Sequence, residues 1–232
     1  MNQKYKNKTI IVDSSSLITI SDNCLIKIIK NLSEMKKLNF TIPESVYEES
    51  VINPLKIKQY ELNAIRIKDA VEEGYIKVKK STSEIKSLMQ YINNISSEIC
   101  LANGKPLKLI QKGETEALAL AKSSGAKIVM VDERTTRMLV EEPFNMHDFL
   151  EKRHHKQITI NPQAAREFTA MFSGLKIIRS VELIAFAYEC GAMESEVKKS
   201  KEALEASLWA AKYAGCAVSE TEIKSYLNEV GK

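Results

Sequence analysis

The sequence predicts a three-layer α/β domain, a central and mostly parallel sheet of about four or five strands between helical layers, with a C-terminal helical extension. Three observations predict it. Two short apolar runs, Thr9 to Val12 and Lys127 to Val131, each stop at an aspartate, Asp13 and Asp132, in the manner of buried parallel strands. An Ala/Leu-rich helical stretch between Gly113 and Gly125 leads directly into the second run, which is half of a strand–helix–strand crossover. Beyond residue 181 the apolar spacing is helical.

The elements follow in order. Ser14, Ser15 and Ser16 turn the chain after the first strand and cap a helix whose apolar positions include Leu25, Ile28, Ile29 and Leu32. An extended stretch from Phe40 to Ile42 precedes Pro43, which opens a short helix carrying Val46, Glu49 and Ser50. A polar helix from Gln59 to Glu72 ends at Gly74, and Tyr75 to Val78 is extended. A helix from Ser83 to Leu101 is broken by Asn103-Gly104-Lys105-Pro106. Leu175 to Ile178 adds a further short strand. Helices over Glu182 to Glu189, Ser195 to Tyr213 and Ser219 to Glu229 complete the chain, the second with an apolar stripe through Leu204 and Leu208. Residues 1–180 thus read as one α/β domain in which 143–174 form an insertion or irregular lobe, and 181–232 as a helical extension packed on the same domain.

The chain has 232 residues, 44% hydrophobic and 28% charged, which suits one substantial core and an appendage. No apolar run approaches the length of a membrane span, and the start MNQKYKNKT is polar, so a cytoplasmic setting is expected, with no membrane partner. A net charge of +4 is compatible with nucleic acid without requiring it. Cys24, Cys100, Cys190 and Cys216 lie far apart, with no C-x-x-C pair, and are expected to be buried free thiols. His147, His154 and His155 are expected on a solvated loop.

The chemistry is carried by four acids in four separate contexts: Asp13 in IIVDSSSLI, Glu49 in PESVYEES, Glu116 in GETEALALA and Asp132 in KIVMVDERTTR. In an open parallel sheet the ligand crevice lies beyond the carboxyl ends of the strands, where Asp13 and Asp132 are expected to meet, with Glu49 and Glu116 reaching in from flanking helices. Two carboxylates about 4 Å apart repel by roughly 4 kcal/mol at an effective dielectric near 20, so such a cluster calls for a cation or for proton uptake. Hard oxygen donors select Mg²⁺ or Mn²⁺ over zinc. Taken singly, Glu49 and Glu116 read as solvated helix-surface acids and Asp132 as a turn former. A haloacid-dehalogenase-type phosphatase would need an acid where Ser15 stands, a receiver domain an acidic pair before its first strand, and no Gly-rich phosphate loop is present.

The segments VDSSSLI, IPESVYEES, GETEALALA and VMVDERTTR, in that order, resemble the PIN-domain nucleases, and LKIIRSVELIAFAYECGAMESEV with GCAVSETEI is similar to a prokaryotic subgroup of PIN-like, VapC-toxin-like proteins. The resemblance covers most of the chain except Glu142 to Arg166. It implies a PIN-like fold and a metal-dependent endoribonuclease acting on single-stranded RNA with Mg²⁺ or Mn²⁺. It also implies Asp13, Glu49, Glu116 and Asp132 as catalytic metal ligands, Ser15 as a supporting neighbour, and Glu116 in preference to Glu114. Family members often carry a further acid beyond the fourth, for which Glu133 is the candidate here, and one metal or two remain open. Arg134 and Arg137 correspond to basic residues that contact phosphate, with surface ion pairing as their other reading. The resemblance leaves open a toxin with a small antitoxin partner, or an RNA-processing nuclease. A catalytically silent PIN-like RNA-binding or protein-interaction module is the alternative. Leu204, Leu208 and Trp209 are read either as buried core or as a homodimer or antitoxin interface.

Overall fold

The computed structural model describes residues 8–229; the first seven residues of the polar start, and the last three of the extension, lie outside them. Five strands, β1 (Thr9–Val12), β2 (Asn39–Pro43), β3 (Ile76–Lys79), β6 (Ile128–Met130) and β8 (Lys176–Ile178), form one sheet in the order β3-β2-β1-β6-β8, every neighbouring pair parallel. The central position of β1 follows from its composition, since every residue from Ile10 to Val12 is buried. Alternation then divides the core. Ile10, Val12, Phe40, Ile42 and Met130 face one helical layer, while Ile11, Val129 and Val131 face the other.

On the first face lie α1 (Ser14–Asp22), α2 (Lys27–Lys36), α4 (Glu61–Glu72) and α10 (Ser180–Glu189), backed by α11 (Lys201–Tyr213) and α12 (Glu220–Glu229). On the second lie α5 (Ser83–Ile99), α6 (Lys112–Ser124), α7 (Arg134–Glu141) and α9 (Pro162–Met171). A short α3 (Glu44–Tyr47) follows β2 and runs into a π-helical turn over Glu48–Ile52. Leu204, Leu208 and Ala211 have no exposed surface and pack in the first core, so that part of the α11 stripe is interior, while Trp209 is only partly buried against it. Ser200, not Ser195, starts that helix, its hydroxyl accepting from Ala203 N–H.

Residues 143–174 are regular where an irregular lobe was expected. They hold α8 (Met146–His154), β7 (Ile158–Ile160) and α9, with Met146, Leu150, Ile158 and Phe168 buried. β7 pairs antiparallel with β4 (Cys100–Ala102), which pairs in turn with β5 (Lys105–Pro106), a second three-stranded sheet. Asn103 and Gly104, at φ 49 and 76, turn the β4–β5 hairpin, so the expected break after α5 is a tight turn in a small sheet. His147 and His154 belong to α8 and His155 caps it, in place of the expected loop. Cys100 and Cys216 are buried thiols, each pushed up to about 12 by burial, whereas Cys24 is exposed. Among the described residues no helix is long and apolar enough to cross a membrane.

Candidate active site

Asp13 leaves the C-terminal end of β1 and caps α1, its Oδ2 accepting from Ser15 N–H at 3.1 Å and Ser15 Oγ at 2.7 Å. Its Oδ1 is buried and among the described residues has no hydrogen-bond partner. Burial pushes this carboxyl above the usual range, the Ser15 bonds oppose that, and the charge of Glu49 adds to it. Glu49 reaches the same place from the π-helical turn, a widened turn of the kind that often marks functional positions. Its Oε2 accepts from Ser14 Oγ at 2.9 Å.

Gly113 is what lets the two acids approach. A Cβ there would lie 3.1 Å from Glu49 Oε2 and 3.4 Å from Asp13 Oδ1, so any side chain would intrude on both carboxylates. The next residue, Glu114, accepts from Gln111 N–H at 2.6 Å and from Thr136 Oγ1 at 2.5 Å. Burial, with smaller contributions from the charges of Asp13 and Glu133, raises Glu114 to about 7. Glu133 caps α7. Burial pushes it upward, but Thr135 and Arg153 outweigh that and hold it below the usual range.

These four carboxylates line one cavity of about 700 Å³ beyond the strand ends. The N-termini of α1, α6 and α7 converge there, so three positive helix ends offset part of the mutual repulsion. Lys108, Lys112, Arg153 and His154 complete the wall. Arg153 lies 3.1 Å from Glu133 and over the ring of Phe149, whose face also carries Arg134 at 4.7 Å.

Of the expected ligands, Asp13 and Glu49 line the cavity, while Glu116 and Asp132 do not. Residues 114 and 116 point about 200° apart on a helix, so when Glu114 faces the cavity Glu116 faces elsewhere. Buried Glu116 accepts from Ser45 N–H at 3.2 Å, at the start of α3, and from Ser81 Oγ before α5. Asp132 is buried and fully engaged. Its Oδ1 accepts from Ser16 Oγ and Ser180 N–H at 3.1 and 2.7 Å, and its Oδ2 from Ser180 Oγ at 2.8 Å. It ties β6 to the starts of α1 and α10, and Glu133 takes the cavity position instead. Ser15 lines the cavity with its hydroxyl engaged between Asp13 Oδ2 and the N–H of Asp132. Arg134 and Arg137 stand outside the wall, Arg137 facing Glu141.

The donors suit a hard divalent cation, being oxygens only, and one of them, Asp13 Oδ1, is buried with nothing to bind. Among the described residues no three acidic, histidine or cysteine side chains stand close enough together to hold a metal ion as placed. Exposed Glu49 is the member free to swing toward Asp13 and Glu114, which are fixed by burial, whereas Glu133 is held by Thr135 and Arg153.

Lys108, Lys112 and Arg153 escaped the sequence reading. The first two carry no motif, and Arg153 lies in the segment expected to be irregular, although the helical spacing of Met146, Phe149 and Leu150 was there to find. No curated protein and no solved structure matches the chain. A family model described as DUF3368, a PIN domain, matches residues 9–142, from the start of β1 to the end of α7. The chain belongs to the PIN-domain family, a nuclease-type fold.

Proposed function

We propose that the protein is a metal-dependent endoribonuclease that hydrolyses single-stranded RNA, with Asp13, Glu49 and Glu114 holding Mg²⁺ or Mn²⁺ and Glu133 available as a fourth ligand. The observation that carries this reading is the buried, unpartnered Asp13 Oδ1 facing Glu49 across Gly113. A buried carboxylate oxygen without a donor costs about 1–3 kcal/mol, more when charged, and a cation supplies the missing partner. When bound, the metal would lower the pKa of a coordinated water and polarise the phosphoryl oxygens. Ser15 holds Asp13 in one orientation through two bonds to Oδ2, which turns Oδ1 to the cavity. Lys108 and Lys112 attract the phosphates of a strand that the carboxylates alone would repel. Glu116 and Asp132 are positioning residues in this account: one secures the helix leading to Glu49, the other the junction between β6 and α1.

Purified protein is expected to cleave single-stranded RNA with Mg²⁺ or Mn²⁺ and to stop on addition of EDTA. Asp13→Asn and Glu114→Gln should be folded and inactive. Metal-independent cleavage, or wild-type rates in both variants, would overturn the reading. Metal-insensitive RNA binding without cleavage would favour the silent module.

A further inference from the structure

A second cleft of about 260 Å³ adjoins the main cavity, and Lys108, Leu109 and Lys112 line both. The far side of the cleft is α5, which presents Asn93, Ser96 and Ser97. Both lysines are exposed, and among the described residues neither forms an ion pair, whereas Arg153 on the opposite wall is engaged by Glu133. Asn93 is anchored at one end, its amide lying 3.0 Å from Thr115 Oγ1, whose single proton is shared with Gln111 O, and among the described residues the other end of the amide has no partner. Ser96 and Ser97 donate to the carbonyls of Asn93 and Asn94, which leaves hydroxyl lone pairs on the cleft side. The cleft therefore offers a fixed amide and two acceptor oxygens behind a pair of free cations.

Resting on the nuclease reading above, we propose that this cleft is a nucleotide subsite: it takes the base and sugar of the residue next to the scissile phosphate, while Lys108 and Lys112 hold the connecting phosphate. A single strand laid over the lysine ridge has its backbone on cations and its neighbouring base against polar groups that read edges, the division of labour by which phosphate contacts position and base contacts specify. A duplex cannot splay a base into such a cleft. Asn93 is then a specificity residue, and the two lysines are sequence-blind.

The test uses the full chain in an Asp13→Asn background with EDTA, which silences the proposed chemistry while leaving the ridge and cleft intact. Fluorescence anisotropy with labelled ten-nucleotide rA, rC and rU strands reads affinity. Lys108→Ala with Lys112→Ala should weaken all three alike and flatten the dependence of log affinity on log salt by about 0.7, the contribution of the one connecting phosphate that the two lysines hold. Asn93→Ala, and separately Ser97→Ala, should weaken the preferred strand by about fivefold, level the differences between strands and leave the salt dependence unchanged. Unchanged sequence preference in both cleft variants would overturn the subsite while leaving the nuclease reading intact. Failure of the parent to bind any strand would overturn the subsite, and cleavage surviving in the Asp13→Asn parent without EDTA would overturn the active-site assignment alone.

Discussion

Two clusters of buried charge follow the carboxyl ends of strands of one sheet, Asp13 after β1 and Arg179 after β8, and they solve the same electrostatic problem differently. Around Arg179, which is 4% exposed, the carboxylates of Glu182 and Glu222 meet a guanidinium that also donates to Ala217 O at 2.7 Å. Burial works against all three charges and is outweighed: Arg179 holds Glu182 below the usual range, Ser219 N–H and hydroxyl together with Arg179 bring Glu222 to about 2, and the two carboxylates raise Arg179. Around Gly113, Asp13 and Glu114 are shifted upward instead, because burial there is met by hydroxyls, N–H groups and further acids rather than by a cation. The Arg179 cluster is complete within the chain. The acidic cavity is stable only in part by its own means, and that incompleteness marks it as a place for an external cation.

The sharpest way to break the comparison is to remove the internal cation. Arg179→Met should destabilise the protein by about 3 kcal/mol, the low end for a broken buried pair, since it leaves Glu182 and half-exposed Glu222 without their shared cation while Tyr226 and Ser219 still donate to them. Urea denaturation gives the number. The loss should appear at neutral pH and shrink in acid, and a change below about 1 kcal/mol would mean that the cluster is solvated rather than paired. Arg179 also joins α10 to the loop before α12, so the C-terminal helices should lose hydrogen-exchange protection ahead of β1 and β6.

Acid and base then act on the two clusters in opposite senses. A carboxyl whose folded pKa is raised stabilises the fold fully below its unfolded value and loses that contribution as pH climbs through the folded value. For Glu114 the window runs from about 4.5 to about 7, and without divalent cations the cost by neutral pH is about 3 kcal/mol at most. Glu222, depressed to about 2, contributes above about 4.5 and loses its contribution as pH falls toward 2. In EDTA the protein should therefore be most stable on the acid side of neutrality. Glu114→Gln should flatten the alkaline limb of the stability profile and leave the acid limb in place.

How much of this was legible in the chain depends on how far each determinant lies from the residue it controls. The strand ends at Asp13 and Asp132 were legible because an apolar run followed by an acid is a local pattern. Which of two neighbouring acids faces the cavity was not. The choice between Glu114 and Glu116 is the rotational phase of α6, set by Gly113 packing against Asp13 and Glu49 from two other segments. Glu133 takes the cavity in place of Asp132 because Asp132 is captured by Ser180, 48 residues later. The β4–β7 pairing joins residues nearly sixty apart through strands of three residues each, too short for alternation to register. The Asn103-Gly104 turn, by contrast, was a local signal for a hairpin.

Supplying the external cation should make the two clusters alike. Mg²⁺ or Mn²⁺ at a hundred times its dissociation constant should add about 2.7 kcal/mol of stability. The increment should be read as a shift in thermal midpoint, and it should be largest near pH 7, where Glu114 is otherwise costly. Asp13→Asn should abolish the increment and raise the stability of the metal-free protein, because it removes a buried charge that has one oxygen unpaired. A metal-induced shift of equal size in Asp13→Asn would place the cation elsewhere.

The smallest expected effect on the fold is the most discriminating for the site. Gly113→Ala puts a methyl 3.1 Å from Glu49 Oε2 and 3.4 Å from Asp13 Oδ1. Glu49 is exposed and can swing away, so the metal-free protein should change by less than about 1 kcal/mol, the gain in helix propensity offsetting the crowding. The same methyl occupies the space in which the two carboxylates converge, so the metal-induced rise in midpoint should shrink or vanish while the Arg179 cluster and the acid limb stay as they were. If Gly113→Ala instead cost several kcal/mol in EDTA and left the metal response intact, the glycine would be serving helix–sheet packing. The approach of Asp13 and Glu49 would then be a by-product of that packing rather than the reason a glycine stands there.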